Sequence, residues 1–285
     1  AAAVALPPRD DLAAHLAARW SHPRWLVECW LAELGAEETE ALLRANNAPA
    51  PTMLRVNRRL ASRDDCLATL RAEGNEVEAG EAAPDAIRFE GGGAAALPQF
   101  RSGTVSLQSE ASQLVTLLLD PRPGESLLDA CAGSGGKALQ AAELQGDRGR
   151  IVAVDLHGHA LARLRAESRR LGLASIAAVR ADATRLPLRA EVRFDRVLLD
   201  APCSGLGTLR QHPEIRWRRR PLDVAASGRL QRALLAAALE RVRPGGVLVY
   251  AVCTTMRAEN EGVVTDVLQG RADVLRQDAR DVLSG

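Results

Sequence analysis

Between residues 126 and 253 the chain alternates short apolar runs with stretches of helical spacing, and most of the runs end on an acid. The runs SLLDA, IVAVD, IAAVRAD and FDRVLLD bring Asp129, Asp155, Asp182 and Asp200 to their ends, and a fifth, GVLVYAVC, closes on Cys253. Parallel neighbours in a sheet cannot be joined by a tight turn and need a crossover, usually a helix. The pattern therefore predicts an α/β fold, a doubly wound Rossmann-like sheet with a long helix over residues 223–241. In such sheets ligands bind beyond the carboxyl ends of the strands, where these acids are expected.

The preceding segment reads differently. Residues 11–46 have the spacing of short amphipathic helices, with Ser21 as N-cap ahead of Pro23 and Trp25, Leu26, Cys29 and Trp30 on one face. From residue 53 to 100 a strand (MLRVN), a helix after Ser62 and strand-like pieces near Val77 and Ile87 suggest a small α+β subdomain. Residues 91–96 read as loop, and 108–119 as a helix entering the sheet domain. The expected division is a helical lead-in (1–48), the small α+β subdomain (49–107) and the sheet domain (108–285).

The 285 residues, 47% of them hydrophobic, suffice for a sizeable core plus a satellite. Cys29, Cys66, Cys131, Cys203 and Cys253 are scattered and odd in number, so free thiols are expected rather than a disulfide scaffold or metal site. No secretory leader pattern or membrane-spanning apolar run is visible, which gives a cytoplasmic expectation; a monomer is also expected. The chain begins with Ala1 rather than Met, so upstream residues are expected. A formal net charge of +1 does not advertise a nucleic-acid partner, and any such contact would rest on local basic clusters.

The loop Cys131, Ala132, Gly133, Ser134, Gly135, Gly136, Lys137 follows the first acid-ended run, and its glycines let backbone approach a ligand closely. A phosphate-binding P-loop would need four residues between its first glycine and the Gly-Lys pair, and Ser or Thr after the lysine, whereas Ala138 stands there. A dinucleotide site would need the GxGxxG spacing, which GSGG lacks. A nucleoside cofactor without a phosphate cradle fits better, with Asp155 placed for ribose hydroxyls and Asp182 near the adenine. Taken singly, each acid is equally a solvated strand end. Lys137 is the only lysine of the chain.

Two thiols follow strand ends: Cys203 after Asp200-Ala201-Pro202, and Cys253 at the close of the fifth run. A buried thiol is usually an inert small hydrophobe, which is the reading for Cys29 and Cys66. A helix expected near Arg257 would favour thiolate at Cys253. Two thiols and a carboxylate suit methylation of a pyrimidine carbon. Carbon 5 of cytosine is a weak nucleophile until a sulfur adds at carbon 6, and a partner at ring nitrogen 3, for which Asp200 is placed, eases that addition.

These residues resemble the Sun/Nop family of RNA cytosine-5 methyltransferases, in particular bacterial members acting on small-subunit ribosomal RNA. The resemblance covers roughly residues 20–268 and is carried by SHPRWLV from Ser21, PTMLRVN from Pro51, residues 108–113, Asp129 through the glycine loop to Lys137, Asp200 to Gly207, and Cys253 with Glu259-Asn260-Glu261. It implies S-adenosylmethionine as cofactor, Cys253 as nucleophile, Cys203 as the thiol assisting release, and cofactor binding by the loop from Cys131 to Lys137 with Asp155, Asp182 and Asp200. It also implies a supporting role for Lys137 beside Asp200, and RNA as partner. The chain departs from the family where Gly133-Ser134 replace a usual Ala-Pro and Ala251-Val252 a usual Ser-Thr. The family's N-terminal helical RNA-binding domain and closing strands are also missing from it, so a shortened form is expected. Expected RNA contacts are Arg55, Asn57 and Gln108 in the small subdomain, and His212, Arg216 and Trp217 in the basic segment QHPEIRWRRR. Charge runs are as often solvated faces, and a non-catalytic RNA-binding or ribosome-assembly protein is the alternative function.

Overall fold

The computed structural model describes residues 6–283; residues 1–5 of the lead-in and 284–285 of the sheet domain lie outside the described residues. The chain forms two compact units, one from residues 1–50, 203–230 and 252–263, the other from 51–202, 231–251 and 264–285.

The first unit begins with α1 (Leu12–Trp20) and α2 (Arg24–Asn46). Asp11 caps α1 by accepting from the Ala14 N–H. The expected capping role of Ser21 is corrected: Ser21 turns left-handed (φ 55°) to end α1, and Pro23 holds the N-cap position of α2. Proline brings a fixed φ and has no N–H to leave unpaired there. Gly35, at φ 79°, breaks the helical path of α2. Leu16, Leu26, Val27, Trp30 and Leu43 pack with Leu206, Leu209, Val224 and Met256 from later in the chain. Burial of such side chains stabilises by roughly 1.5–3 kcal/mol each.

In the second unit come β1 (Thr52–Val56), α3 (Arg63–Ala72), β2 (Glu76–Ala79), β3 (Ala86–Glu90), α4 (Pro98–Arg101) and β4 (Val105–Leu107). The strands form an antiparallel sheet in the order β2-β3-β1-β4. Ser62 caps α3 through the Asp65 N–H, as its place before the helical run predicts. There follow α5 (Glu110–Leu119), β5 (Ser126–Asp129), α6 (Gly136–Leu144), β6 (Arg150–Asp155), α7 (Gly158–Arg170), β7 (Ile176–Arg180) and β8 (Phe194–Asp200). After α8 (Ile215–Arg218) of the first unit, α9 (Pro221–Leu239) leads into β9 (Val242–Ala251), and α10 (Glu261–Leu268) and α11 (Ala279–Leu283) close the described chain.

The five strands β7-β6-β5-β8-β9 are all parallel, the α/β sheet that the sequence pattern predicts. Leu127, Ile151, Ala153 and Leu198 of this sheet are buried with Leu139 and Ala142 of α6 and Leu161 and Leu164 of α7. Two strands lie on either side of β5, so the chain reverses its direction of winding there. The carboxyl ends of β5, β6 and β8 carry Asp129, Asp155 and Asp200.

Candidate active site

At these strand ends the second unit has a cavity of about 310 Å³, lined by Gln108, Ser109, Asp129, the loop residues Cys131, Ala132, Gly133, Ser134 and Gly136, and Lys137 with Asp200. The loop turns through left-handed backbone at Gly133 (φ 55°) and Gly135 (φ 90°). A Cβ at Gly135 would meet Leu164 Cγ at 2.6 Å, whereas one at Gly133 would meet nothing within 4 Å. Glycine at 135 lets the loop close on α7, and glycine at 133 leaves bare backbone. Asp155 fastens the loop from the neighbouring strand: its carboxylate accepts from the Gly133 N–H at 2.9 Å and from the His157 N–H at 2.7 Å. Asp182 lies beyond β7, where its carboxylate accepts from the N–H and hydroxyl of Thr184. Those bonds hold the Asp182 carboxyl below its ordinary range.

Lys137 donates to Asp200 at 2.5 Å, and the lysine side chain is 14% exposed. Beneath this pair Asp129 is almost fully buried, and its Oδ1 has no hydrogen-bond partner. Burial, reinforced by the Asp200 carboxylate, pushes Asp129 up to about 7 although Lys137 pulls the other way. Cys131, on the same loop, is pushed up to about 12 by burial and by the surrounding acids, so its thiol stays protonated. The acidity of Asp129 was not foreseen from the sequence, which marks it only as one acid of several.

In the first unit Cys203 and Cys253 bring their sulfurs to 3.1 Å. Cys203 is half-buried and Cys253 exposed. The hydrogen bond to Cys253 and burial both raise the Cys203 thiol, so it keeps its proton toward the other sulfur. A negative charge in this pair costs less on the exposed sulfur than on the half-buried one. The helix expected at Arg257 is corrected: a single 3₁₀ turn stands at Arg257–Glu259, and α10 begins only at Glu261.

Around the thiols the backbone is tied closely. The Gly207 N–H donates to the Cys253 carbonyl at 2.9 Å, and a Cβ on Gly207 would stand 3.1 Å from that oxygen. Glu259, wholly buried, accepts from the Ser204 N–H at 2.7 Å and the Ser204 hydroxyl at 2.5 Å, and from the Thr254 hydroxyl at 3.0 Å. Trp30 of α2 donates to the Thr255 hydroxyl at 2.9 Å. Glu259 lies in a motif that the sequence displays, but nothing local tells that its partner is Ser204.

The expected RNA contacts divide. His212 and Trp217 are exposed, Trp217 at 61%. Arg55, Asn57, Gln108 and Arg216 are instead buried with partners inside the protein. Arg55 donates to Glu143 at 2.8 Å and to Gln108; Gln108 donates in turn to Gln140 at 3.1 Å. Asn57 accepts from the Arg59 N–H and donates to the Gly103 carbonyl. Arg216 donates to Asn47 Oδ1 at 2.7 Å and to the Ser21 and Asn46 carbonyls. A guanidinium spent on internal acceptors lends its charge to the fold rather than to a surface. No cluster of metal-ligating side chains and no helix long and apolar enough to cross a membrane is found among the described residues.

With this geometry the chain can be set beside known proteins. The family model described as 16S rRNA methyltransferase RsmB/F matches residues 116–282, and the RsmF/B-like ferredoxin-like domain matches residues 22–95. The probable ribosomal RNA small subunit methyltransferase B of Bacillus subtilis is 39% identical over 265 residues, 93% of this chain and 59% of the relative. The ribosomal RNA small subunit methyltransferase B of Pseudomonas syringae pv. tomato is 42% identical over 248 residues, 86% of this chain and 55% of the relative. The chain thus spans less than two thirds of the length of either. A crystal structure of a methyltransferase homologue from Pyrococcus horikoshii aligns with a TM-score of 0.81 at 28% identity, covering 91% of this chain and 82% of that one.

Proposed function

Because the chain belongs to the RsmB/F family of 16S rRNA methyltransferases, we propose that it methylates carbon 5 of a cytosine in RNA, with S-adenosylmethionine as methyl donor and small-subunit ribosomal RNA as substrate. The observation that carries this reading is the 3.1 Å approach of Cys203 and Cys253, one thiol held protonated and the other exposed.

The residues of the second unit fit the cofactor. Gly133 and Gly136 present backbone with open space where a side chain would stand. The loop from Cys131 to Lys137, with Asp155 for the ribose, Asp182 near the adenine and Asp200, would hold it. When bound, S-adenosylmethionine supplies an electrophilic methyl group.

The chain's own residues do the rest. Cys253 adds through sulfur to cytosine carbon 6, and the ring electrons shift toward carbon 5, which becomes nucleophilic. Asp200, oriented by the Lys137 ammonium, meets ring nitrogen 3 and relays a proton from that ammonium to it as negative charge develops there. After methylation Cys203, no longer hydrogen-bonded to a Cys253 thiolate, passes its own proton to solvent and as thiolate takes the carbon 5 proton; the ring double bond re-forms, and Cys253 leaves as thiolate. Asp200 stands three residues before Cys203 in the chain. The exposed His212 and Trp217 are the proposed RNA contacts; a stacked base on Trp217 is the chemistry that suits it.

The test is adduct trapping with cytosine-containing RNA and S-adenosylmethionine. Cys203→Ala should accumulate a covalent protein–RNA adduct and Cys253→Ala none. Formation of 5-methylcytosine by Cys253→Ala would overturn the assignment of the nucleophile, and no methyl transfer by the unaltered protein to any cytosine of small-subunit RNA would leave the non-catalytic alternative.

A further inference from the structure

We infer that Glu259 is a positioning residue, a clasp that sets the distance between the two thiols. Cys203 and Cys253 lie on separate segments of the first unit, and each is followed directly by a hydroxyl residue, Ser204 and Thr254. Both hydroxyls turn inward to the same carboxylate. Glu259 Oε1 accepts from the Ser204 N–H at 2.7 Å, while Oε2 accepts from the Ser204 hydroxyl at 2.5 Å and the Thr254 hydroxyl at 3.0 Å. The two hydroxyl oxygens are themselves 3.0 Å apart, and the Met256 N–H donates to Thr254 Oγ1 at 3.2 Å.

The consequence is geometric. Each thiol is one peptide unit from an atom bonded to Glu259, so a shift of one segment against the other must break a bond to a fully buried carboxylate. Hydrogen bonds to a charged group are among the stronger ones, and a buried acceptor stripped of its donors is costly. One side chain therefore holds two reactive groups in register without touching either. The inference rests on the methyl-transfer reading for why the spacing matters, since a sulfur that attacks and a sulfur that takes the proton must serve one ring.

The spacing can be read without RNA or cofactor. Dibromobimane becomes strongly fluorescent only when both its bromomethyl arms have been displaced by thiolates, one bromide leaving at each sulfur. In the full chain it should bridge Cys203 to Cys253, as mapped by mass spectrometry. Glu259→Gln keeps the volume but replaces one acceptor oxygen by a donor NH₂. It should slow bridging at least tenfold, with single alkylation of Cys253 by iodoacetamide changed less than twofold. Bridging at the unaltered rate would overturn the clasp while leaving methyl transfer untouched. Conversely, a protein that makes no 5-methylcytosine but loses bridging in Glu259→Gln would overturn the function and keep the clasp. Should Glu259→Gln melt below the assay temperature, Thr254→Val and Thr254→Ser give the same decision. The valine should slow bridging at least threefold and the serine restore it, and equal rates in the two would sink the proposal.

Discussion

Arg55 of β1 and Glu143 of α6 form a salt bridge of 2.8 Å with side chains only 2% and 4% exposed, which joins the antiparallel sheet to a helix that flanks the parallel one. Burial raises the Glu143 carboxyl, while the Arg55 charge opposes that rise. Paired, the two charges compensate each other; singly, either would be stranded. Arg55→Met or Glu143→Gln alone should destabilise the protein by about 3–5 kcal/mol. The double variant Arg55→Met/Glu143→Leu should recover most of that loss. Urea unfolding of the three variants measures the coupling, and additive losses would show that the pair acts as two independent residues.

Asp129 gives the fold a pH dependence. Its carboxyl rises from the ordinary 3.8 to about 7 in the folded protein, mainly through burial, so the folded state binds this proton more tightly than the unfolded chain does. The contribution is full below about pH 4 and is lost as pH rises toward 7, at about 1.4 kcal/mol per pH unit of that window. Asp129→Asn keeps a neutral group of the same shape. The stability of the variant relative to the parent should therefore increase between pH 4 and 7 and level off above, as chemical denaturation across that range would show. A constant difference would mean that Asp129 is ionised throughout.

Lys137→Arg should lower the methyl-transfer rate at least tenfold, about 1.4 kcal/mol of transition-state stabilisation. The ammonium stands 2.5 Å from Asp200 in a mostly enclosed place, and a planar guanidinium is too broad to keep that single contact where the glycine loop crowds it. Single-turnover rates beside thermal melts separate the effect on chemistry from one on folding. A fully active variant would make Lys137 a mere surface cation.

The two left-handed glycines of the loop should part company under substitution. Gly135→Ala adds to a left-handed backbone a methyl that stands 2.6 Å from Leu164 Cγ, and should cost roughly 2–4 kcal/mol. At Gly133 the methyl enters open space, so only the backbone term of about 1–2 kcal/mol remains, while cofactor affinity should fall because the methyl occupies the cradle. Melting curves and calorimetric titration with S-adenosylmethionine distinguish the two. Equal melting temperatures would contradict the close approach to Leu164.

The parallel sheet is legible in the sequence because its signal is local: each strand is a short apolar run set between stretches of helical spacing, and all five such runs form strands. β4 escapes because the three residues Val105–Leu107 are too few to show a period. Ser21 misleads because a hydroxyl before a helix is the same letter whether it starts the next helix or ends the last, and here its positive φ decides. Arg55 and Arg216 look like surface charges in a chain that writes nearly every cation as arginine. Their partners, Glu143 and Asn47, lie far along the chain and leave no local trace. The same holds for Glu259 and Ser204. Local pattern locates the strand ends and thiols; the tertiary contacts that hold them have no period to read.

The first unit also constrains the order in which the protein can be completed during synthesis. α1 and α2 emerge before the rest of this unit, but Trp30, Leu26 and Val27 find part of their packing on Leu206, Leu209 and Met256. While residues 51–202 are being made, that apolar face has no native cover, although the other unit already has most of its chain. These two helices are thus finished only after residues 203–263 have been made, and the nascent chain carries an aggregation-prone surface while residues 51–202 are synthesised. A ribosome stalled before residue 203 should hold a chain whose α2 is open to proteases, and one stalled far enough past residue 263 to free that segment from the tunnel should not.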